Sequence, residues 1–245
     1  MKKAKEIKQI IKEKYTEIAR GNTSCGCSRG CNQNISKSIG YSEKDLKIAG
    51  KGNLGLGCGN PTGFGKIKEG DTVLDLGSGA GMDCFLAAEK VGRNGKVIGI
   101  DMTEEMVAMA KFNARKQKIE NVEFLLGEIE KLPLKDNSVD IIITNCVINL
   151  TPDKTKAFKE SYRVLKDGGK IYLSDIVLLN ELSEEQKNDK NLLSGCVAGA
   201  LLKEDYLDKI KKAGFSVHII FENKEISKQQ YQGIALESLS IEAIK

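Results

Sequence analysis

From residue 70 onward the chain alternates short apolar runs with longer amphipathic stretches. Apolar runs at 72–76, 96–100, 122–126, 139–144, 170–175, 216–221 and 235–243 are strand candidates. Between them, apolar residues recur three or four apart over roughly 81–91, 103–118, 153–165 and 203–213, which predicts helices. Strand and helix in alternation predict a parallel sheet with helices on both faces. The last run follows the sixth after only a short polar link, so the seventh strand is expected to pair antiparallel.

The first 65 residues follow a different pattern. Ile7, Ile10, Ile11 and Ile18 give residues 3–20 one apolar helical face, and Gly21 and Asn22 end it. Residues 21–65 are glycine-rich, weakly periodic and poor in core-forming residues. They are expected to form a cap or lid. The predicted organisation is an N-terminal helix and cysteine- and glycine-rich lid over 1–65, followed by one α/β domain over 66–245.

Composition narrows the function classes. Apolar residues are 40% of the 245, enough for a full core, and no apolar run reaches the length of a membrane span. No secretory leader follows the lysine-rich start, so a cytoplasmic location is expected. The net charge of +4 is concentrated in the first twenty residues, where seven basic side chains outnumber three acidic ones. With 5% aromatic residues and no Trp, the body lacks the basic, aromatic-studded face of a nucleic-acid binder. The seven cysteines (25, 27, 31, 58, 84, 146 and 196) point to thiol chemistry, a soft metal or metalloid, or burial, and not to a disulfide framework.

The segment Val73-Leu74-Asp75-Leu76-Gly77-Ser78-Gly79-Ala80-Gly81 reads as strand, glycine loop and helix start. Its glycines let a ligand lie against the backbone, and the helix start offers free N–H groups. Asp101 ends the next strand, about where an acidic side chain meets a ribose. The spacing Gly-Ser-Gly-Ala-Gly, with Asp75 two residues ahead, differs from G-x-G-x-x-G. With Gly127-Glu128-Ile129-Glu130-Lys131-Leu132-Pro133 and Asp136-Asn137-Ser138-Val139-Asp140, residues 70–245 resemble the class I methyltransferases that use S-adenosylmethionine. The resemblance implies a Rossmann-like seven-stranded sheet ordered 3-2-1-4-5-7-6, its last strand antiparallel. It also implies that Asp75 and Gly77 lie by the methionine part of the cofactor, that Ser78 and Gly79 also bind the cofactor and that Asp101 holds the ribose. Met102 would pack on the adenine, Glu128 and Ile129 would line its edge, and Asn145 would close the site below the sulfonium.

Cys146 follows the fourth strand at the sheet edge where ligands bind in this architecture. Cys58 lies in the lid and Cys196 in the crossover after strand five, and the fold could bring all three to one edge. Three thiolates suit a soft, thiophilic centre. Trivalent arsenic so held keeps a lone pair able to attack a sulfonium methyl, and no base is needed. The lone histidine, His218, reads as a strand-edge or core residue and Cys84 as helix packing. Cys25-x-Cys27-x3-Cys31 suits docking or redox use better than a stable metal.

The segments Asn145–Lys154, Ile100–Thr103, Gly57–Pro61 and Gly195–Leu201 resemble the arsenite methyltransferases from about Tyr41 onward. That resemblance implies methyl transfer from S-adenosylmethionine to arsenite or its thiol conjugates. Cys58, Cys146 and Cys196 would be the ligands, with a fourth cysteine such as Cys31 in the early steps. Glutathione or thioredoxin would serve as thiol reductant. Neither a nucleic acid nor a membrane is expected as partner. A methyltransferase for an organic acceptor would need the glycine loop but not Cys58 and Cys196. A non-catalytic metalloid-binding protein would need the thiols but not the whole cofactor pocket.

Overall fold

The computed structural model describes residues 4–21, 31–229, 231 and 233–245. Strands β1 (Thr72–Leu76), β2 (Lys96–Asp101), β3 (Val122–Leu126), β4 (Val139–Asn145), β5 (Leu165–Leu178), β6 (Ser216–Asn223) and β7 (Leu236–Ile244) form one sheet. Its order is β3-β2-β1-β4-β5-β7-β6, as the resemblance implies. The first five strands pair in parallel, and β7 lies antiparallel between β5 and β6.

The helices in chain order are α1 (Ala4–Ala19), α2 (Cys31–Ser38), α3 (Glu43–Ala49), α4 (Pro61–Phe64), α5 (Met82–Val91), α6 (Glu104–Gln117), α7 (Lys154–Val164), α8 (Glu184–Asn188), α9 (Lys190–Ser194), α10 (Lys203–Lys212) and α11 (Ile226–Gln229). The pleat explains why the central strands read as unbroken apolar runs. Leu74, Leu76, Ile142, Ile171 and Leu173 enter one core with Phe158 of α7 and Tyr206 of α10. Val73, Ile141, Ile143 and Tyr172 enter the other with Phe85 of α5 and Ala110 of α6. Burying both faces of each strand removes the polar alternation a half-exposed sheet would show.

A third apolar cluster caps the sheet edge. Ile11 of α1, Ile39, Tyr41, Leu150, Ile176, Val197, Ile226 and Leu236 pack there with Cys58, Cys146 and Cys196. The expectation that residues 21–65 are poor in core is therefore corrected for the described part, where Ile39, Tyr41, Ala49 and Cys58 are buried. Helix α3 begins at Ser42, whose hydroxyl accepts from Asp45 N–H while the Asp45 carboxylate accepts from Ser42 N–H. Strand β5 is also longer than its apolar run: it begins at Leu165, beside Val139, with a register shift in β4 between Val139 and Ile141. His218 is exposed on the edge strand β6. Among the described residues no helix is long and apolar enough to cross a membrane.

Candidate active site

Strand order reverses between β1 and β4, so the loops leaving their C-terminal ends splay apart and open a crevice. The β1–α5 loop forms one wall. Gly77 and Ser78 donate to Ile100 C=O at 2.7 and 2.9 Å, which ties the loop to β2. Gly77 has φ +70°, and a side chain there would also run into Val147. Asp101 holds the next turn: its carboxylate accepts from Gly79 N–H at 3.0 Å and from Thr103 N–H at 2.8 Å.

Asp75, Gly77, Ser78, Gly79, Asp101, Met102, Glu128, Ile129 and Asn145 all line one cleft. The cleft encloses about 1110 Å³ including its mouth. Helix α1 roofs it with Lys8, Ile11 and Tyr15. Lys8 Nζ lies 2.8 Å from both Glu128 and Glu130 and so pins the roof to the far wall.

The cleft is electronegative. Asp75, Asp83 and Asp101 are all buried along it. Burial, reinforced by the Asp83 charge, pushes the Asp75 carboxyl well above the usual carboxylate range. Burial raises Asp83 to about 6, against hydrogen bonds from Tyr41 and Asn145 that favour its ionised form. Burial also raises Asp101, opposed by backbone N–H donors. Lys8 is the basic side chain among the described lining residues, and its charge is already matched by Glu128 and Glu130. Such a cleft favours a ligand that brings positive charge. Ser78 Oγ is buried without a hydrogen-bond partner among the described residues, and a ligand hydroxyl or carboxylate would satisfy it.

The three cysteines named from the sequence pack in one buried cluster beside this cleft. Cys146 lines it directly. The Cys146 N–H donates to Ser174 C=O at 2.8 Å, and its backbone takes φ +59°. Cys58 is buried beside it, with Sγ 3.4 Å from the same Ser174 carbonyl. The Cys196 thiol donates to Cys146 C=O at 2.8 Å, and its own φ is +68°. A left-handed backbone at a residue with a Cβ costs on the order of 1–3 kcal/mol, and such strain gathers at functional sites.

Asn145 ties lid to sheet. Its side-chain oxygen accepts from Cys58 N–H at 3.0 Å, while its amide donates to Gly59 C=O at 2.7 Å and to Tyr41 Oη at 2.9 Å. Tyr41 in turn donates to Asp83 at 2.7 Å. Hydrogen bonds from the Cys196 and Cys58 thiols hold Cys146 well below the ordinary thiol range, against the effect of burial. Burial pushes Cys58 up, and hydrogen bonding to Cys146 followed by burial does the same to Cys196. The cluster thus favours ionisation at Cys146 over its two neighbours.

The structure adds residues that the sequence did not single out. An oxygen of Asp175, in the middle of β5, lies with Cys58 Sγ and Cys146 Sγ so that all three atoms are within 4.8 Å of one another. Tyr231 Oη is 3.9 Å from Cys146 Sγ. Cys84 does more than pack: it is fully buried on α5, and its thiol donates to Asp75 at 3.2 Å, fixing that carboxylate. Cys25 and Cys27 lie outside the described residues, and of Cys31 only the backbone at the start of α2 is described.

Comparison with known proteins agrees with this architecture. The model of the family described as "Methyltransferase domain" matches residues 67–214. The arsenite methyltransferase of Halobacterium salinarum is 44% identical over 224 residues, covering 86% of this chain and 57% of that one. The Homo sapiens arsenite methyltransferase is 41% identical over 172 residues, covering 64% of this chain and 46% of its own length. The chain thus spans about half the length of these curated relatives. Among solved structures, an arsenic(III) S-adenosylmethionine methyltransferase from Chlamydomonas reinhardtii superposes with a TM-score of 0.65 at 31% identity, covering 86% of this chain and 72% of that one. With the family match over 67–214, the strand order and the cleft at the sheet's switch point in agreement, the chain belongs to the methyltransferase domain family.

Proposed function

We propose that this protein is an arsenite methyltransferase, transferring a methyl group from S-adenosylmethionine to As(III) held by Cys58, Cys146 and Cys196. One observation carries the reading: an electronegative cleft of the methyltransferase fold ends on a buried cluster of three cysteines. Relatives named arsenite methyltransferase support the choice of acceptor.

The residues present fit the cofactor. Ser78 offers an unpartnered hydroxyl, and the Asp101 carboxylate suits ribose hydroxyls. Met102 and Ile129 are apolar neighbours for an adenine, with Glu128 at its edge. When ionised, the Asp75 and Asp83 carboxylates that line the cleft would complement the ammonium of the amino acid end. S-adenosylmethionine, when bound, supplies an electrophilic methyl on a sulfonium sulfur.

The chain's own work is to hold the acceptor. Cys146 is the most readily ionised of the three thiols, so its sulfur attacks As(III) first, and the displaced hydroxide takes a proton from solvent. Cys58 and Cys196 follow, each losing its proton to a departing hydroxide as water. Three As–S bonds satisfy the arsenic valences and leave its lone pair. Held this way by Cys58, Cys146 and Cys196, arsenic would present that pair to the sulfonium methyl, whose bonding electrons would return to the cofactor sulfur, so no protein base would be needed. The transfer oxidises arsenic from III to V. A thiol reductant such as glutathione or thioredoxin returns the two electrons. A reducing compartment such as the cytoplasm suits these free thiols.

The test uses Cys146→Ser and Cys196→Ser. Each is expected to abolish arsenite methylation while calorimetry shows near-parental cofactor binding. Full activity in either variant would remove that thiol from the ligand set.

A further inference from the structure

Arsenic needs three thiolates and nothing else from the protein, yet a fourth donor stands inside the cluster. Asp175 is 1% exposed, and its carboxylate oxygen shares a 4.8 Å neighbourhood with Cys58 Sγ and Cys146 Sγ. The methyl transfer derived above gives this carboxylate no task. Its orientation is fixed from behind. Oδ1 accepts from Asn149 Nδ2 at 2.8 Å and Ile176 N–H at 3.0 Å, and Oδ2 accepts from Tyr206 Oη at 3.0 Å. Hydrogen bonds of this kind orient carboxylates at metal sites. The Cys196 sulfur lies outside that set, 2.8 Å from Cys146 C=O, and would have to turn in to add a third thiolate.

The geometry points to a second ligand class: we propose that Cys58, Cys146, Cys196 and Asp175 form a site for a thiophilic divalent cation, Zn(II), overlapping the one read above as the arsenite site. The donor set selects the cation. Thiolate sulfur excludes hard ions such as Mg(II) and Ca(II), which take oxygen ligands. Zn(II) has no lone pair to accommodate and takes four S, N or O donors in a tetrahedron. Zn–S bonds of ~2.3 Å place tetrahedral sulfurs ~3.8 Å apart. The Cys58, Cys146 and Asp175 donors, within 4.8 Å of one another, reach that by side-chain shifts of about an ångström, while Cys196 must rotate away from the Cys146 carbonyl to join them.

Charge agrees. Burial, then the neighbouring Cys146, push the Asp175 carboxyl well above the usual carboxylate range, and a cation between the two groups would favour both ionised forms. The nearby buried ammonium, Lys154 Nζ, donates to Asn149 and Thr151 carbonyls instead. Once Zn(II) gathers three thiolates and a carboxylate, the complex is anionic and Lys154 offsets part of that charge. Binding moves no electrons: the Cys58 and Cys196 thiols release their protons to solvent as the metal–sulfur bonds form. Zinc then occupies sulfurs that arsenic requires. The expected consequence is inhibition of arsenite turnover, competitive with arsenite and not with the cofactor.

The experiment uses Cd(II) as a spectroscopic probe on the reduced full chain, with Cys25, Cys27 and Cys31 changed to Ser, which leaves the buried Cys84 as the one thiol outside the proposed site. One equivalent should bind with a thiolate-to-metal charge-transfer band, and Zn(II) should displace it. Asp175→Asn should weaken Cd(II) binding by about tenfold or more. Because that variant could unfold, ¹¹³Cd resonance is also read on the chain that keeps Asp175. A shift typical of mixed sulfur and oxygen donors supports the proposal. An all-sulfur shift, unchanged affinity in a folded Asp175→Asn, or no bound Cd(II) overturns it. These titrations contain neither arsenite nor cofactor, so their failure is separable from a failure of arsenite turnover.

Discussion

Asn145→Ala tests how the lid is held on the sheet. The wild-type amide bridges β4 to Cys58, Gly59 and Tyr41 through three contacts of 2.7–3.0 Å. Alanine strands the Cys58 N–H and the Gly59 C=O, both at buried residues. An orphaned buried backbone group costs about 1–3 kcal/mol, and partial entry of water lowers that, so the pair should cost about 2–4 kcal/mol. The loss falls on the lid, which can open without the sheet unfolding. At about 1.4 kcal/mol per decade, opening becomes about 30- to 800-fold more populated. The assay is alkylation of Cys58 under native conditions, with the modified peptide identified by mass. Cys58 should react faster by that factor, and Cys84, buried on α5, should not change. An increase below about fivefold, equivalent to about 1 kcal/mol, would show that other contacts hold the lid and that Asn145 is not its tie.

Two more predictions concern the cleft. Asp83 has its pKa raised to about 6 by burial, so it is neutral below that pH and ionised above it. A cationic ligand favours the ionised form. Cofactor affinity should therefore rise with pH up to about 6 and flatten beyond, with proton release on binding in calorimetry, and an affinity flat between about pH 5 and 7 would refute this. Ser78→Ala removes a buried hydroxyl that has no hydrogen-bond partner among the described residues. Thermal stability should hold or rise while cofactor affinity falls about tenfold, whereas a loss of stability without loss of affinity would contradict the fit.

Much of the architecture is legible because two-sided burial turns the central strands into apolar runs. Charged residues inside those runs carry the exceptions. Asp75 interrupts β1 and faces the cleft. Asp175 interrupts Ile171–Val177 in the same way, and that break was the signal that could have marked it. The lid helices were less visible. Helix α2, with the sequence Cys-Asn-Gln-Asn-Ile-Ser-Lys-Ser, has no apolar stripe and is fixed by Ser36 hydrogen-bonding to Asn53. Helix α3 did carry a capping box, Ser42 to Asp45, that predicts its start. The left-handed backbones at Cys146 and Cys196 have no sequence signature, since a cysteine gives no hint of positive φ.

The central claim is that the cleft and the thiol cluster are two halves of one reaction. Its most direct test is cofactor consumption by the reduced chain with and without arsenite, with mass analysis of the arsenic species. The account predicts S-adenosylhomocysteine and methylated arsenic only when arsenite is present. Turnover that ignores arsenite, or methyl transfer to an organic acceptor with arsenite left unmethylated, would contradict it.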